Sequence, residues 1–531
     1  MSILRSVFTI SFYISLSRIC GFIRDIIIAQ YLGVSLLSDA FFAAFRLPNF
    51  FRRVFAEGAF NSAFVPIFVE RIGDHKGGTN NASKASKASK DGLIFARNIF
   101  SFLFYILLVF TIIFQIFMPF FMKILFPGFF VDPAKSELLI NLSRITIFYL
   151  IFISLVSLCS GILNSIDKFA VPASSPIILN LTLICSVFVF GNSVPNYAYA
   201  LSWGVFIAGI LQFLWLSFFT FKSKFLLYPQ WPKFNRDTKK FFQKLLPGIV
   251  GANVMQINLL VDSIFASLIA GAVSYLYYAD RINQLPLAMI GIAIGIALLP
   301  ALSRKIKSGE HEGAVRLQNL AFEVGLVLVI PATLALTILA YPIITSLFER
   351  GKFGHEESML VSRALMFYSF GLPAYVLVKV MEPAFFARGN TTTPMKIACT
   401  CLVNNVVLNL IFFSFGIGYV GIILSSTISS YLNLTLLLYL LVKEKHFHFE
   451  KKFLQKLLSI LIPSLLMALT LFVVRGYFDH HDFLNKIIEL MTMILIGLLV
   501  YGTSSYFSGS LDIVLQSHLL KRKKHDFIPS S

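Results

Sequence analysis

Charge is scarce in this chain. Asp, Glu, Lys and Arg together make up 13% of 531 residues, where soluble globular proteins carry roughly 25%. Such a composition excludes a water-soluble globule, because there is too little polar surface to cover so large an apolar interior. Acidic residues are scarcer still, 26 against 45 Lys and Arg, so the net charge is +19. Only five cysteines are present, Cys20, Cys159, Cys185, Cys399 and Cys401, mostly inside apolar stretches and without a CxxC. That excludes a disulfide framework or a thiolate metal site and leaves them as small buried hydrophobes. The histidines lie in loops or tails, none at HExxH spacing, and the adjacent His480 and His481 read as solvated loop. No catalytic constellation, metal site or cofactor is expected. A GxxxxGK[ST] loop is also missing, so any energy the protein uses would come from a coupling ion or a voltage gradient rather than from ATP.

What is present is apolar. Hydrophobic residues form 57% of the chain and mean hydropathy is +0.79. Long apolar runs recur from end to end. At about 20 residues per crossing they read as about fourteen membrane spans, among them 6–31, a broken 35–70, 243–268, 273–303, 456–475 and 487–508. The first holds Arg18, Arg24 and Asp25 and has no small-residue cleavage site, so it reads as a retained span. An even number puts both termini on one side, and the loop cations say which. The sixth-to-seventh loop alone carries Lys222, Lys224, Lys233, Arg236, Lys239, Lys240 and Lys244, and the loops after the second, eighth and twelfth spans and the tail are similarly basic. The opposite loops hold few, such as Lys123, Lys135, Arg350 and Lys352. Both termini are therefore expected in the cytoplasm. The same asymmetry explains the net positive charge without nucleic acid as a partner. Residues 76–92, with three tandem ASK triplets, read as a flexible cytoplasmic linker.

The halves repeat. GVSLLSDAFFAAFRLPNFF from Gly33 matches GAVSYLYYADRINQLPLAM from Gly271, pairing Gly33 with Gly271 and Pro48 with Pro286. Six spans lie between them, so the halves share one orientation, as in parallel-repeat transporters. This predicts lobes at 1–222 and 223–445, a left-over pair of spans at 446–512 and a basic tail at 513–531.

Some charges fall where lipid should be. A charge at mid-bilayer costs about 2.5–3.5 kcal/mol on insertion scales, and such residues face a wet cavity or a partner. Arg24 and Asp25 point about 100° apart on a helix, so their adjacency does not by itself make them a pair. The second span holds Asp39, Arg46, Arg52, Arg53 and Glu57. Pro48 should kink or break it, Gly58 adds a soft point, Asp39 sits near the outer end where it would cap the span, and Arg53 would snorkel to the surface. In the second half Asp262, Asp280 and Arg281 stand out, and Lys379 and Glu382 are spaced to pair on one helix face. The cavity total tilts positive: Arg18, Arg24, Arg52 and Arg281 against Asp25 and Glu57. That bias favours an anionic substrate, and arginine's planar fork suits phosphate.

Four stretches carry a resemblance: SRICGFIRDIIIAQYLG, SDAFFAAFRLPNFFRRVFAEGAFNSAFVPIF, YYADRINQLP with the following GIALLPALS, and RGNTTTPMKIA. They resemble the MurJ (MviN) family of lipid II flippases, within the multidrug/oligosaccharidyl-lipid/polysaccharide exporter superfamily, and the resemblance runs along essentially the whole chain. It implies an all-α polytopic membrane protein of about fourteen transmembrane helices, in two pseudo-symmetric six-helix lobes arranged in a V, as in multidrug exporters of that superfamily, with two C-terminal helices forming a lipid-tail groove. It also implies transport rather than catalysis. The substrate would be lipid II, the undecaprenyl-pyrophosphate-linked disaccharide pentapeptide, moved across the bacterial inner membrane for peptidoglycan synthesis. By the family's pattern Arg18, Arg24, Arg52 and Arg281 would bind the pyrophosphate. Asp25, Asp39, Pro48, Glu57, Gly58, Asp280 and Lys379 would support or gate, and Gln284 stands where a relative has Glu. The rival readings are a flippase for another undecaprenyl-pyrophosphate-linked oligosaccharide, a multidrug exporter, and a membrane glycosyltransferase, which would need catalytic carboxylates and a long outer loop.

Overall fold

A computed structural model describes residues 3–56, 59–72, 82–252, 254–449, 452–477 and 483–513. Among them the chain is helical throughout, with no strand beyond an isolated bridge at Arg350 and Phe353. The helices are α1 (Ile3–Leu32), α2 (Leu36–Ala56), α3 (Ala59–Ile72), α4 (Ala82–Leu125), α5 (Pro133–Thr146), α6 (Tyr149–Ser165), α7 (Ala170–Phe190), α8 (Tyr197–Lys222), α9 (Arg236–Ala252) and α10 (Val254–Ser267). There follow α11 (Ala272–Pro286), a π-helical turn at Leu287–Ile292, α12 (Ala293–Lys307), α13 (His311–Phe348), α14 (His355–Phe386), α15 (Thr392–Ser414), α16 (Tyr419–Lys443), α17 (Phe453–Arg475) and α18 (Phe483–Ser508).

Eleven helical segments among the described residues are long and apolar enough to cross a membrane. The other three expected spans fall on helices that carry charge or are short. α1 carries Arg18, Arg24 and Asp25; α2 carries Asp39, Arg46, Arg52 and Arg53 and is followed by the short α3; α9 and α10 are 17 and 14 residues long. The ASK triplets are not a loop: from Ala82 onward they form the first turns of α4. Their low complexity hides a helix-forming composition, Ala and Lys with no Gly or Pro until Gly92.

By compactness the chain divides into Met1–Ser274 and Tyr275–Ser531, whereas the lobe boundary expected at 222/223 rests on internal symmetry. In the first unit α7 packs on α1 and α8, α6 on α8, and α3 on α4, α6 and α9. Phe60, Phe64 and Phe68 recur every fourth residue on α3, and their rings stack at 5.5 and 5.2 Å. Phe95 and Phe241 close on the same stack, so one use of the chain's 57 phenylalanines is a ring-filled core. In the second unit α14 packs on α13, α16 and α12, and α17 and α18 pack on each other and on α13.

The terminal pair is fastened to α13 at two points, one a third of the way along it and one at its C-terminal end. Glu323 takes Lys456 of α17 at 2.8 and 2.9 Å, and Glu349, just beyond the helix, takes Lys486 of α18 at 3.1 Å. Cys159 and Cys401 are buried as expected, but Cys185 and Cys399 are exposed on α7 and α15. On a helix bathed in lipid a small apolar side chain has no need of a protein core.

The repeat has a backbone counterpart. Gly33 and Gly271 both take a left-handed conformation, φ 62° and 77°, just before α2 and α11. After the matched prolines the halves diverge. α2 runs on through Pro48 to Ala56, whereas α11 ends at Pro286 and passes into the π turn.

Candidate functional site

α2 was expected to kink or break at Pro48, and it does not break: one helix runs from Leu36 to Ala56. Proline removes the N–H that would bond the carbonyl four residues back, here that of Ala44. Thr146 of α5 donates its hydroxyl to that oxygen at 2.9 Å. A freed carbonyl satisfied by a neighbouring helix is what lets proline sit inside a membrane helix. Glu57 and Gly58 lie outside the described residues.

Arg24 and Asp25 are a pair, contrary to their divergent directions on α1. The guanidinium is long enough to turn back, and donates from Nε and Nη2 to Asp25 Oδ1 at 3.0 and 2.6 Å. Its Nη1 donates to Asn180 Oδ1 of α7 at 2.8 Å, and Asn180 Nδ2 donates to the Ser17 carbonyl at 3.0 Å. All three polar side chains are buried, Asp25 at 2% exposure. A fork held at three nitrogens has a fixed orientation, which a lysine could not reproduce. Asn180 escaped the sequence reading. Its signal was an amide inside the apolar run IILNLTLI, where a polar side chain needs a partner across a helix interface.

Arg18 is exposed on α1. Arg52 is half-buried and donates Nε to Asn49 at 2.8 Å. The buried Tyr149 hydroxyl of α6 donates to Gln212 of α8 at 3.1 Å. Arg53 does not simply snorkel: it donates to Gln256 of α10 at 3.2 Å. Arg46 donates to the Leu259 carbonyl of the same helix at 2.7 Å.

Asp39 caps a helix other than its own. Its carboxylate accepts the Gly271 N–H at 2.9 Å, the Ser274 N–H at 2.9 Å and the Ser274 hydroxyl at 2.6 Å. Ser38 meets the same hydroxyl at 2.9 Å. These are donors at the N-terminus of α11, where the helix dipole favours an anion.

In the second unit Arg281 donates to the Tyr277 hydroxyl at 3.2 Å, its guanidinium 5.2 Å from the Tyr277 ring centre. Asp280 accepts a hydrogen bond from the Gln284 amide. An ionised carboxylate at 284 would be an acceptor only and could not donate to Asp280 as Gln284 does. Lys379 pairs with Glu382 at 3.0 Å, as the spacing predicts. Gly291 and Gly295 let the π turn and α12 approach the α14 backbone; a Cβ on Gly295 would stand 2.7 Å from the Lys379 carbonyl oxygen.

This is an all-helical chain with charges built into its apolar helices by named partners, and comparison with known proteins gives it a family. A sequence profile of the lipid II flippase MurJ family matches residues 28–508. The chain belongs to the MurJ family. A protein of Rhizobium tropici named as a probable lipid II flippase MurJ is 35% identical over 99% of this chain and 98% of its own length. One of Rickettsia prowazekii with the same name is 35% identical over 95% and 98%. A solved MurJ structure, in an inward closed conformation, superposes with TM-score 0.78 at 28% identity, covering 94% of this chain and 98% of that one. An inward-facing multidrug transporter of the MATE family superposes with TM-score 0.62 over 80% of this chain and 98% of its own. At 14% identity that match speaks for the shared fold alone. The MurJ family membership and the apolar helices make this a multi-pass membrane protein, a transporter by family.

Proposed function

We propose that this chain moves lipid II from the cytoplasmic to the periplasmic leaflet of a bacterial inner membrane. The observation that carries the reading is its near full-length similarity to relatives named as probable lipid II flippases. Transport proceeds by alternating access between two six-helix lobes, with the isoprenoid tail left in lipid beside α17 and α18 and both termini in the cytoplasm. Arg18, Arg24, Arg52 and Arg281 bind the pyrophosphate, and a coupling ion or the membrane potential supplies the driving force.

The hydrogen bonds of Arg24 suggest how an empty site is kept. Asp25 occupies two of its guanidinium nitrogens and acts as an internal counter-anion. Phosphate oxygens arriving on the lipid replace it, so that the guanidinium is compensated at every stage. Asp39 at the start of α11, Pro48, Glu57, Gly58, Asp280 and Lys379 support or gate this movement.

The test is leaflet-resolved detection of lipid II after depletion of the protein, with rescue by wild type and by Arg24→Ala, Arg52→Ala and Arg281→Ala. Lipid II should accumulate on the cytoplasmic side, and normally expressed arginine variants should fail to rescue. Unchanged translocation on depletion would refute the flippase reading. Rescue by all three variants would refute the pyrophosphate site.

A further inference from the structure

The connection between α8 and α9 is built unlike an ordinary loop. α8 closes with a left-handed residue, Lys224 at φ 67°, whose N–H bonds the Phe221 carbonyl while Phe225 N–H bonds that of Thr220. This is the turn in which glycine is preferred. The chain reverses there and runs extended to Arg236, pinned along α4. Arg97 donates to the Leu226 carbonyl at 2.8 Å and lies over the Tyr228 ring at 4.3 Å. Ser101 accepts the Gln230 N–H at 2.9 Å, and Asn98 Oδ1 accepts the Lys233 N–H at 2.6 Å. With its backbone fixed, the segment turns Leu226, Tyr228, Trp231 and Phe234 outward, Trp231 at 84% exposure.

Between this strap and α8 lies an apolar groove of about 310 Å³, walled by Leu214, Phe218 and Phe221 of α8 and by Phe225, Leu226 and Leu227 of the strap. Residues 222–224 join the two walls, and Lys222 and Lys224, both exposed, lie on that turn, next in sequence to the groove residues Phe221 and Phe225. Lys168 reaches the same turn and donates to Ser223 at 2.8 Å. An apolar slot beside three lysines has the layout of an amphiphile with an anionic head. The chain's own C-terminal tail (Lys521 to Lys524) and a second copy of this basic face would both be repelled. An acidic protein would answer the lysines but leave the groove and the exposed aromatics of α8 uncovered.

We propose that this strap and groove form a binding site for an anionic phospholipid of the cytoplasmic leaflet, one acyl chain in the groove and the phosphate against Lys168, Lys222 and Lys224. The exposed aromatic side chains of the strap sit at headgroup level, the usual station of Tyr and Trp. The site is separate from the transported substrate, though its leaflet assignment shares the orientation argued from loop charge. Each lysine should contribute roughly fivefold in preference for an anionic over a zwitterionic headgroup.

Three tryptophans, Trp203, Trp215 and Trp231, supply the readout. Trp215 follows the groove residue Leu214 on α8 and donates its indole N–H to Ser174 of α7 at 3.2 Å, whereas Trp203 lies more than three helical turns away. Full-length protein carrying only Trp215 (W203F/W231F), in mixed micelles, is titrated with brominated phosphatidylglycerol or brominated phosphatidylcholine. Trp215 should be quenched at a several-fold lower fraction of the anionic lipid, and a Trp203-only protein should show no headgroup preference. The Trp215 preference should vanish in K168Q/K222Q/K224Q. It should weaken in Lys224→Gly, which relieves the left-handed strain and so raises stability. Equal quenching of Trp215 by both lipids, or a preference that survives loss of the lysines, overturns the proposal. Transport is not measured, so the outcome is independent of the flippase reading.

Discussion

Removing Asp25 should harm this protein more than its surface-like chemistry suggests, and removing Arg24 with it should undo much of the harm. Asp25 accepts two charge-assisted hydrogen bonds from Arg24, and the two side chains are 2% and 7% exposed. Truncating one partner leaves the other charge buried, at a cost of about 3–5 kcal/mol. Asp25→Ala removes the acceptor of two guanidinium hydrogen bonds, and Arg24→Ala removes the two charge-assisted donors of the carboxylate. Asp25→Asn keeps an acceptor oxygen and loses the charge, so its cost should be smaller, about 1.5–3 kcal/mol. The double variant removes both charges, and the cycle should show a coupling of on the order of 2–3 kcal/mol. Reversible unfolding of the full-length protein in mixed micelles, followed by tryptophan fluorescence, gives all four free energies. An Asp25→Ala protein within about 0.5 kcal/mol of wild type, the limit of ordinary additivity, would show that the pair is not a stabilising unit. Strict additivity of the two alanines would show the same.

Other expectations follow from single contacts. Thr146→Val removes the donor to the Ala44 carbonyl and should cost about 1–3 kcal/mol; adding Pro48→Ala restores a backbone N–H and should recover part of that loss in the same unfolding measurement. Gly295→Leu would drive a Cβ to 2.7 Å from a backbone oxygen of α14, so a loss of about 1–3 kcal/mol is expected from overpacking, visible as a lower melting temperature in detergent. At the Glu323–Lys456 pair the lysine is 30% exposed and the glutamate 7%. Lys456→Met should therefore cost more than Glu323→Gln, because the lysine can reach water and the stranded carboxylate cannot; the reverse order in thermal unfolding would contradict that account.

The sequence reading was accurate where a feature depends on solvent and weaker where it depends on a partner. Pro48 shows the difference. Its chemistry fixed the missing N–H, but the donor that meets the freed Ala44 carbonyl is Thr146, a hundred residues away and unremarkable in its own run. Asp39 was recognisable as a capping residue near a span's end, yet the helix it caps begins at Ala272. Arg24 and Asp25 diverge by ideal helix geometry, and only the length of the guanidinium and the placement of Asn180 close the pair. The ASK triplets misled in the other direction, since repetition and polarity suggested a loop where local propensity made a helix.

Membrane residence, helical architecture, the internal repeat and the surplus of arginine among the apolar spans were determined by sequence alone. Each follows from the cost of exposing polar groups to lipid or apolar groups to water, and that cost is paid residue by residue along the chain. Tertiary structure decided which misplaced charges are compensated and by whom. It joined Arg24 to Asn180 across 156 residues and seated Asp39 on the start of α11. It folded the basic loop after α8 back along α4, leaving a groove beside the lysines. Hydrogen bonds and ion pairs act over a few ångströms, and proximity on that scale between distant residues exists only once the helices have packed.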